Sequence, residues 1–423
     1  MLYLFLFLST TTMYVFASDF GPTFSQREPR FPLDPSFNLP QKVAQQVEGD
    51  FGPTFSQKVV FGPTFSQKVA QKVGCMNENG TPVDYWVIIK KPQGTDYFYY
   101  DSENRDFHTS PHSLNSTSVG ALAYTTKQLW QAEMNYVMYN DQPPKDIFLH
   151  DDIYDNNNIY ANNNDIVDDS YSDDLYAGKF GHTKGFFAFA SDKGFWLTHS
   201  IPLFPLGPKV VDDYQGLGKN AGTYAQHLLC LSVTAESINN LSKQFLFNRP
   251  QLYESRLYES RLLNEKYDYI RQLIDGKYST LNICDTSVRL TLGGHPFKVY
   301  AKTAEWNNDL YAGCVTPTER DTLWVESWIR GSADGPTCPV SDYDTLDIKN
   351  LDFVIGDRIY SWKETQDHSK WAITANRDVV CMGDINRMTT QYSRGGGTAC
   401  FSDKILHSIF KKATTKTNEC LQN

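Results

Sequence analysis

The chain contains no Cys-x-x-Cys pair, no excess of positive charge and no long apolar run beyond its first residues. Its eight cysteines therefore do not suggest a zinc ribbon or a thioredoxin-type redox site. A net charge of −10 at pH 7 opposes binding to a polyanion, but nine histidines become charged as the pH falls and remove most of that repulsion. Charge alone therefore does not decide the class of partner.

The first 17 residues are apolar and end in Val15-Phe16-Ala17, whose last, small residue suits signal peptidase. Because this run is short for a bilayer, we predict a cleaved signal peptide at 1–17 and no membrane span afterwards. The secretory route leads to an oxidising compartment, so the cysteines are expected to form disulfides. Asn79, Asn115 and Asn240 begin candidate glycosylation sequons.

Residues 18–74 differ in composition from the rest of the chain. The unit Phe-Gly-Pro-Thr-Phe-Ser-Gln occurs at 20–26, 51–57 and 61–67, without a periodic apolar pattern, which predicts a disordered leader. A second unusual stretch, 150–174, is rich in Asp and Asn and is interpreted as a solvated insert. It lacks the EF-hand spacing, so no metal site is predicted there.

The remaining body is predicted to consist of two halves, 75–235 and 236–423. Apolar runs predict strands at 84–89, 136–139 and 186–190, the last buried on both faces. Helical patterns fall at 222–247, 257–274 and 402–412. A tandem Leu-Tyr-Glu-Ser-Arg, at 252–256 and 257–261, is assigned to a helix. Strands mixed with helices indicate an α/β (α+β mixed) body.

Two His-x-Lys motifs occur, one in each half: His182 with Lys184, and His368 with Lys370. If each motif lies on a strand, its imidazole and ammonium groups project to the same face. A neutral imidazole can attack phosphorus, and a charged imidazole can protonate the leaving oxygen. Two ammonium groups can hold the remaining phosphate oxygens. Two such motifs meeting at one site therefore predict phosphodiester chemistry without a metal.

Glycine-containing segments follow the second motif. Asp384 and Asn386 lie in Gly-Asp-Ile-Asn-Arg, and Arg394 begins Arg-Gly-Gly-Gly-Thr. Glycine clusters let backbone amides approach a phosphate closely, although a flexible turn explains them equally well. We take Asp384, Asn386 and Arg394, together with Ser200 in the first half, as candidate substrate-binding or supporting residues.

At these residues the chain resembles the deoxyribonuclease II family, from about residue 75 to 423. The matching segments lie at 82–86, 139–144, 181–185, 194–197, 199–200, 367–371, 383–384, 386–387 and 394–398. The resemblance implies a phospholipase D-like fold with two pseudo-symmetric halves, each built on a central β-sheet flanked by helices. It also implies cofactor-free, acid endonucleolytic hydrolysis of DNA through a phosphohistidine, leaving 3′-phosphate ends, in a secreted or lysosomal enzyme.

By the same resemblance His182 is the nucleophile and His368 the acid, with the reverse assignment left open. It also pairs Cys75 with Cys230, Cys338 with Cys420, and Cys381 with Cys400. Cys284 and Cys314 remain for an additional bridge. The oligomeric state is left open, with a homodimer as one option.

The first half departs from the expected pattern. Leu203 stands where a Ser-x-x-Asn motif would have asparagine, and Ala190 stands where an acidic residue is expected, with Asp192 nearby. These departures motivate an alternative, a secreted and catalytically weakened relative that binds DNA or a host surface. A phospholipase-type phosphodiesterase is a third, less favoured interpretation.

Overall fold

The computed structural model describes residues 72–144, 179–218, 221–258, 266–331, 335–338 and 343–420. The predicted signal peptide, the leader repeats and the 150–174 insert lie outside the described residues. Val73 and Gly74, at the end of the predicted leader, are buried. In the part of the chain that is described, no helix has the length and apolarity needed to cross a membrane.

Most strands of the first half form one eight-stranded antiparallel sheet. A short pair, β1 (Cys75–Met76) and β2 (Pro82–Val83), precedes it. The sheet strands in chain order are β3 (Tyr85–Lys90), β4 (Tyr97–Asp101), β5 (His108–Thr109), β6 (Asn135–Asn140), β7 (Lys184–Ala190), β8 (Lys193–His199), β9 (Gln226–Thr234) and β10 (Leu252–Arg256). Their spatial order is β10-β6-β7-β8-β9-β3-β4-β5, so this sheet takes one strand from beyond residue 235.

The strands that follow form a second, nine-stranded sheet. They are β11 (Cys284–Leu290), β12 (Pro296–Lys302), β13 (Leu323–Glu326), β14 (Thr345–Ile355), β15 (Arg358–Lys363), β16 (Trp371–Thr374), β17 (Val379–Gly383), β18 (Gly396–Ser402) and β19 (Thr414–Thr417). The order is β11-β12-β18-β17-β16-β13-β14-β15, with β19 paired to β14. The β13–β14 pair is parallel.

Short 3-10 segments (Lys127–Trp130, Glu364–Gln366, Thr389–Gln391) and a π-helical segment (Tyr311–Val315) occur among the described residues, and the α-helices are short apart from two. They are α1 (Ala121–Thr126), α2 (Ala235–Asn248), α3 (Asp268–Ile274), α4 (Thr316–Glu319) and α5 (Lys404–Ala413). Large sheets with few helices make the fold mixed α/β of the α+β kind. The phospholipase D-like topology remains a proposal.

The two sheets face each other across one apolar core. Phe98 of β4 lies 5.5 Å from Phe353 of β14, and Tyr85 of β3 lies 5.1 Å from Phe401 of β18, between ring centroids. The other face of the first sheet is covered as well, because Trp86 and Ile88 alternate with Val87 and belong to a second apolar cluster. Burial on both faces explains why β3 and β7 are continuous apolar runs.

The predicted strands are confirmed, whereas two of the helix predictions are wrong in part. Residues 226–234 form β9 between β8 and β3, and the helix begins only at Ala235, after Thr234 accepts a hydrogen bond from the Ser237 amide. A leucine-rich segment is compatible with a helix or a strand, and pairing with β8 and β3 on its two sides makes this one a strand. The first Leu-Tyr-Glu-Ser-Arg copy is likewise a strand, β10, paired with β6.

Of the described residues in 257–274, Lys266 and Asp268–Ile274 are helical, residues 257 and 258 are not, and 259–265 lie outside the described residues. The C-terminal helix, predicted at 402–412, is confirmed as α5. Its start is set by Asp403, whose carboxylate accepts from the amides of Ile405 and Leu406.

Four disulfides link Cys75–Cys230, Cys284–Cys314, Cys338–Cys420 and Cys381–Cys400, the pairs given in the sequence analysis. The sequon asparagines differ in accessibility. Asn79 and Asn115 are exposed, whereas Asn240 is half-buried on α2. The Asn115 Oδ1 atom also accepts a hydrogen bond from the Leu217 amide, 2.7 Å away.

Candidate active site

Each His-x-Lys segment lies at the entrance to a strand rather than within it. His182 precedes β7, which begins at Lys184, and His368 and Lys370 precede β16. The expectation that both residues of a motif occupy one strand is therefore wrong. Backbone hydrogen bonds outside the strands hold these segments, including an isolated parallel bridge between Ala225 and Asp367.

Two crossed hydrogen bonds bring the segments together. The His182 amide donates to the Gly395 carbonyl, 2.9 Å away, at the start of β18 in the second sheet. The Lys370 amide donates to the Nδ1 atom of His227, 3.0 Å away, on β9 of the first sheet. Glycine is required at position 395, because a Cβ atom there would overlap with the backbone carbonyl oxygen of Asn248.

Asp141, just after β6, organises the cations of the site. One of its oxygens accepts from the Lys184 ammonium, and the other pairs with the Arg394 guanidinium at 2.7 Å. Burial alone would raise the pKa of the Asp141 carboxyl, but the neighbouring His182, Lys184 and Arg394 hold the pKa well below its ordinary value. Asp141 is therefore ionised and neutralises part of a strongly cationic pocket.

Both candidate histidines are neutral in this arrangement. Burial lowers the pKa of His182 well below its usual range; Asp141 opposes the shift, and the nearby Lys184 adds to it. Burial, followed by the charges of Lys370 and Lys184, lowers the pKa of His368 to about 2. Since Lys370 acts on His182 and Lys184 acts on His368, the four motif residues share one electrostatic environment.

Of the predicted supporting residues, the structure brings Arg394, Ser200 and Asp384 to this centre, whereas in the described part of the chain no contact of Asn386 with the motif residues is seen. The Ser200 hydroxyl donates to Gln226 Oε1 and accepts from the His227 amide at 3.0 Å. Asp384 accepts from the Gly397 amide at 2.7 Å, and burial raises its pKa to about 8. The buried Asn386 Oδ1 atom has no hydrogen-bond partner among the described residues.

Several residues of the site were not identified from the sequence. Asp141 lies in the segment 139–144 that carried the resemblance, but nothing in its spacing indicated a shared carboxylate. His227 has no sequence motif around it, and only the pairing of β9 places it beneath Lys370. His199 accepts from the Ile201 amide at 3.1 Å and is fully buried.

The structure shows what lies around Ala190 and Leu203, the two positions at which the first half departs from the expected pattern. Asp192 is exposed on the turn between β7 and β8, where its carbonyl accepts from the Ala235 amide, 3.0 Å away. It therefore does not stand in for the acidic residue missing at Ala190. The carboxylate beside Lys184 is that of Asp141, just after β6, and it lies at the opposite end of β7 from Ala190. The Leu203 amide donates to the Gln142 carbonyl at 2.8 Å, next to Asp141.

Clusters of potential metal ligands are few in the part of the chain that is described. Only Cys338, Asp344 and Cys420 place three such groups close together, and the two cysteines form a disulfide. In the candidate site the positive charge is carried by side chains: Lys184 and Arg394 pair with the ionised Asp141, and Lys370 acts on His182.

The comparisons with known proteins identify the family of this chain. The family model described as Deoxyribonuclease II matches residues 74–420. The chain belongs to the deoxyribonuclease II family. It is 32% identical to a protein named Deoxyribonuclease-2 from Caenorhabditis elegans, over 81% of this chain and 93% of that protein. It is 29% identical to Deoxyribonuclease-2-alpha from Sus scrofa, over 82% and 90% of the two chains.

Another relative carries a different name. Plancitoxin-1 from Acanthaster planci is 28% identical over 83% of this chain and 93% of its own length. Membership in the deoxyribonuclease II family makes the chain a deoxyribonuclease II-type hydrolase, and both His-x-Lys segments lie within the matched region.

Proposed function

We propose that this protein is an acid endonuclease that hydrolyses phosphodiester bonds of DNA without a metal ion and leaves 3′-phosphate ends. The observation that carries the proposal is the convergence of the two His-x-Lys segments, each at the start of an internal strand of one sheet, so that Lys370 acts on His182 and Lys184 acts on His368. DNA as the substrate follows from the family.

In the first step, His182 is the nucleophile. Its low pKa keeps the imidazole neutral, so a ring nitrogen has a free lone pair even at acid pH. A P–N bond forms while the bond from phosphorus to the 5′ oxygen breaks, and His368 gives its proton to that oxygen. Lys184 and Lys370 offset the charge that develops on the non-bridging oxygens.

The same groups complete the second step. His368, now neutral, takes a proton from water, and the water oxygen attacks phosphorus. The P–N bond breaks, which returns His182 to its neutral form and leaves the phosphate on the 3′ oxygen. For the first step His368 must be charged, and a bound phosphodiester supplies the negative charge that raises its pKa.

The assignment of roles is supported by exposure. His182 is buried, whereas His368 is half-buried and thus more accessible to a leaving oxygen and to water. We further propose that the two sheets are the pseudo-symmetric halves of a phospholipase D-like fold. The four disulfides and the apolar N-terminus support a secreted or lysosomal location.

The decisive test is digestion of supercoiled plasmid at pH 5 in EDTA. The purified protein is expected to nick and linearise the DNA, and His182→Ala and His368→Ala are expected to lose at least about 100-fold in rate. His112→Ala, outside both motifs, serves as the control. Cutting that requires added magnesium, or that survives in His368→Ala, contradicts the mechanism.

The same experiment addresses the weakened-relative alternative. Ala190 and Leu203 motivated it, yet Asp141 provides a carboxylate in the site. A gel shift at pH 5 without any nicking would favour binding without catalysis. Trapping of a phosphorylated enzyme in His368→Ala but not in His182→Ala would identify His182 as the nucleophile.

A further inference from the structure

Two aromatic side chains surround His368. The Tyr224 ring stacks on the imidazole, with centroids 3.9 Å apart and an interplanar angle of 11°. The Trp328 ring meets the imidazole edge-on at 3.8 Å, and it contacts Tyr224 in a T-shaped arrangement at 4.9 Å. His368 is therefore bounded by aromatic rings on two sides.

The rings come from different parts of the fold and are fixed by backbone contacts. Tyr224 precedes Ala225, whose carbonyl accepts from the His368 amide at 2.9 Å and whose amide donates to Gln366. Trp328 follows Ser327, the residue after β13, whose hydroxyl accepts from the Arg387 amide at 3.1 Å. Because these hydrogen bonds hold the adjacent residues Ala225 and Ser327 in place, the two rings have defined positions beside His368.

A cation extends this surface. The Arg330 guanidinium lies over the Trp328 ring, 4.3 Å from its centroid, and the side chain is exposed. No carboxylate among the described residues lies within salt-bridge distance of it. Its charge reaches the active site, since Arg330 is one of the groups that lower the pKa of His368.

Accessibility separates this surface from the other residues of the candidate active site. Tyr224 and Trp328 are half-buried, whereas His182, Lys184 and Lys370 are buried. Aromatic faces bind nucleobases by stacking, and an exposed guanidinium pairs with phosphate. The groups next to the half-buried His368 are therefore suited to one nucleotide and its phosphate.

We propose that Tyr224, Trp328 and Arg330 form a subsite for the nucleotide whose 5′ oxygen leaves during cleavage. The rings hold its base, and Arg330 binds the next phosphate. This inference rests on the proposed function, because His368 delivers its proton to that 5′ oxygen. Cleavage then depends on a base being present at that one position.

The test uses single-stranded oligonucleotides that carry one abasic site at successive positions, at pH 5 in EDTA. For the wild type, an abasic site directly 3′ of a scissile phosphate is expected to slow cleavage about tenfold, which corresponds to about 1.4 kcal/mol of stacking. Trp328→Ala is expected to slow cleavage of the intact strand by a similar factor and to lose its sensitivity to the abasic site. Trp328→Phe should retain both rate and sensitivity.

Trp324→Ala is the matched control, because Trp324 is also half-buried and lies under a cation, Lys411, but on β13 and outside the site. If Trp328→Ala stays as sensitive to the abasic position as the wild type, the ring only positions His368 and the subsite is wrong. Affinities of the same oligonucleotides for His182→Ala give a readout without cleavage. Wild type that binds with this abasic penalty but cuts nothing would reject the proposed function alone.

Discussion

At the scale of single residues, Asp141 joins the two halves of the candidate site. Its two oxygens hold Lys184, from the first motif, and Arg394, from the glycine-rich segment before β18. All three side chains are buried, so each charge depends on the others for its compensation. Removing one partner of such a set leaves uncompensated charge in a site shielded from water.

Asp141→Asn is therefore expected to lower the free energy of unfolding by about 3–5 kcal/mol, measured by urea denaturation at pH 6. Asp275→Asn, which removes the exposed ion pair with Lys277 (3.0 Å), provides the control and should leave the midpoint almost unchanged. Equal midpoints for the two variants would contradict the role assigned to Asp141.

The same substitution has a second consequence for catalysis. Asp141 raises the pKa of His182 against the effect of burial and of the neighbouring cations. Without it, the His182 ring becomes a weaker base and a weaker nucleophile. The kcat of Asp141→Asn should therefore fall below that of the wild type even when activity is assayed well below the melting temperature, where the variant is still folded.

At the scale of elements, the start of α5 links the two sheets. Asp403 caps the helix and also accepts from the hydroxyls of Tyr85 on β3, at 2.5 Å, and Tyr100 on β4, at 2.7 Å. Arg105 adds an ion pair at 3.2 Å. The hydroxyl contacts raise the pKa of Tyr85, after burial, which is the larger cause.

Asp403→Ala is expected to cost about 3 kcal/mol or more, because it removes a cap and leaves two tyrosine hydroxyls without their partner. Thr234→Ala removes only the cap of α2 and is expected to cost about 1 kcal/mol. Thermal unfolding of the two variants compares them directly. Equal losses would show that the contacts between the sheets contribute nothing beyond capping.

At the scale of the whole molecule, burial of the site couples activity to pH. His368 must carry a proton for the first step, and its pKa is lowered to about 2 in the unoccupied site. Substrate charge raises that pKa, but the neighbouring Lys370 and Lys184 keep opposing protonation. The kcat/KM for DNA cleavage in EDTA should therefore fall as the pH rises from 5 to 8, and a rate that increases through pH 8 would reject this mechanism.

Stability should depend on pH through Asp384. Burial raises its pKa from 3.8 to about 8, so the folded state holds a proton that the unfolded state has released. This contribution is complete below pH 3.8 and is lost as the pH rises through about 8. Asp384→Asn cannot ionise and keeps an oxygen for the Gly397 amide.

The melting temperature of Asp384→Asn should therefore rise relative to that of the wild type between pH 4 and 8 and then stay constant. Asp192→Asn, at the exposed turn after β7, should follow the wild type throughout. A constant difference between Asp384→Asn and wild type over this range would show that Asp384 is ionised in the fold.

Sequence reasoning identified β3, β6, β7 and α5, because their burial patterns and caps are local. It mistook β9 for a helix, since a run such as Leu228–Leu229 fits either structure until neighbouring strands pair with it. For the same reason β10 was assigned to a helix. Strand pairing is a long-range property that a local pattern does not contain.

The sequence by itself determined the family and the two His-x-Lys motifs, because sequence motifs and the chemistry of individual side chains do not depend on the fold. Only the tertiary structure decided what surrounds them. The position of Asp141 between Lys184 and Arg394 depends on the pairing of strands and the packing of the two sheets, which bring residues distant in sequence together. The same is true of His227, whose Nδ1 atom accepts from the Lys370 amide. Burial of those groups then set their charge states, since desolvation exists only once the two sheets have closed around the site.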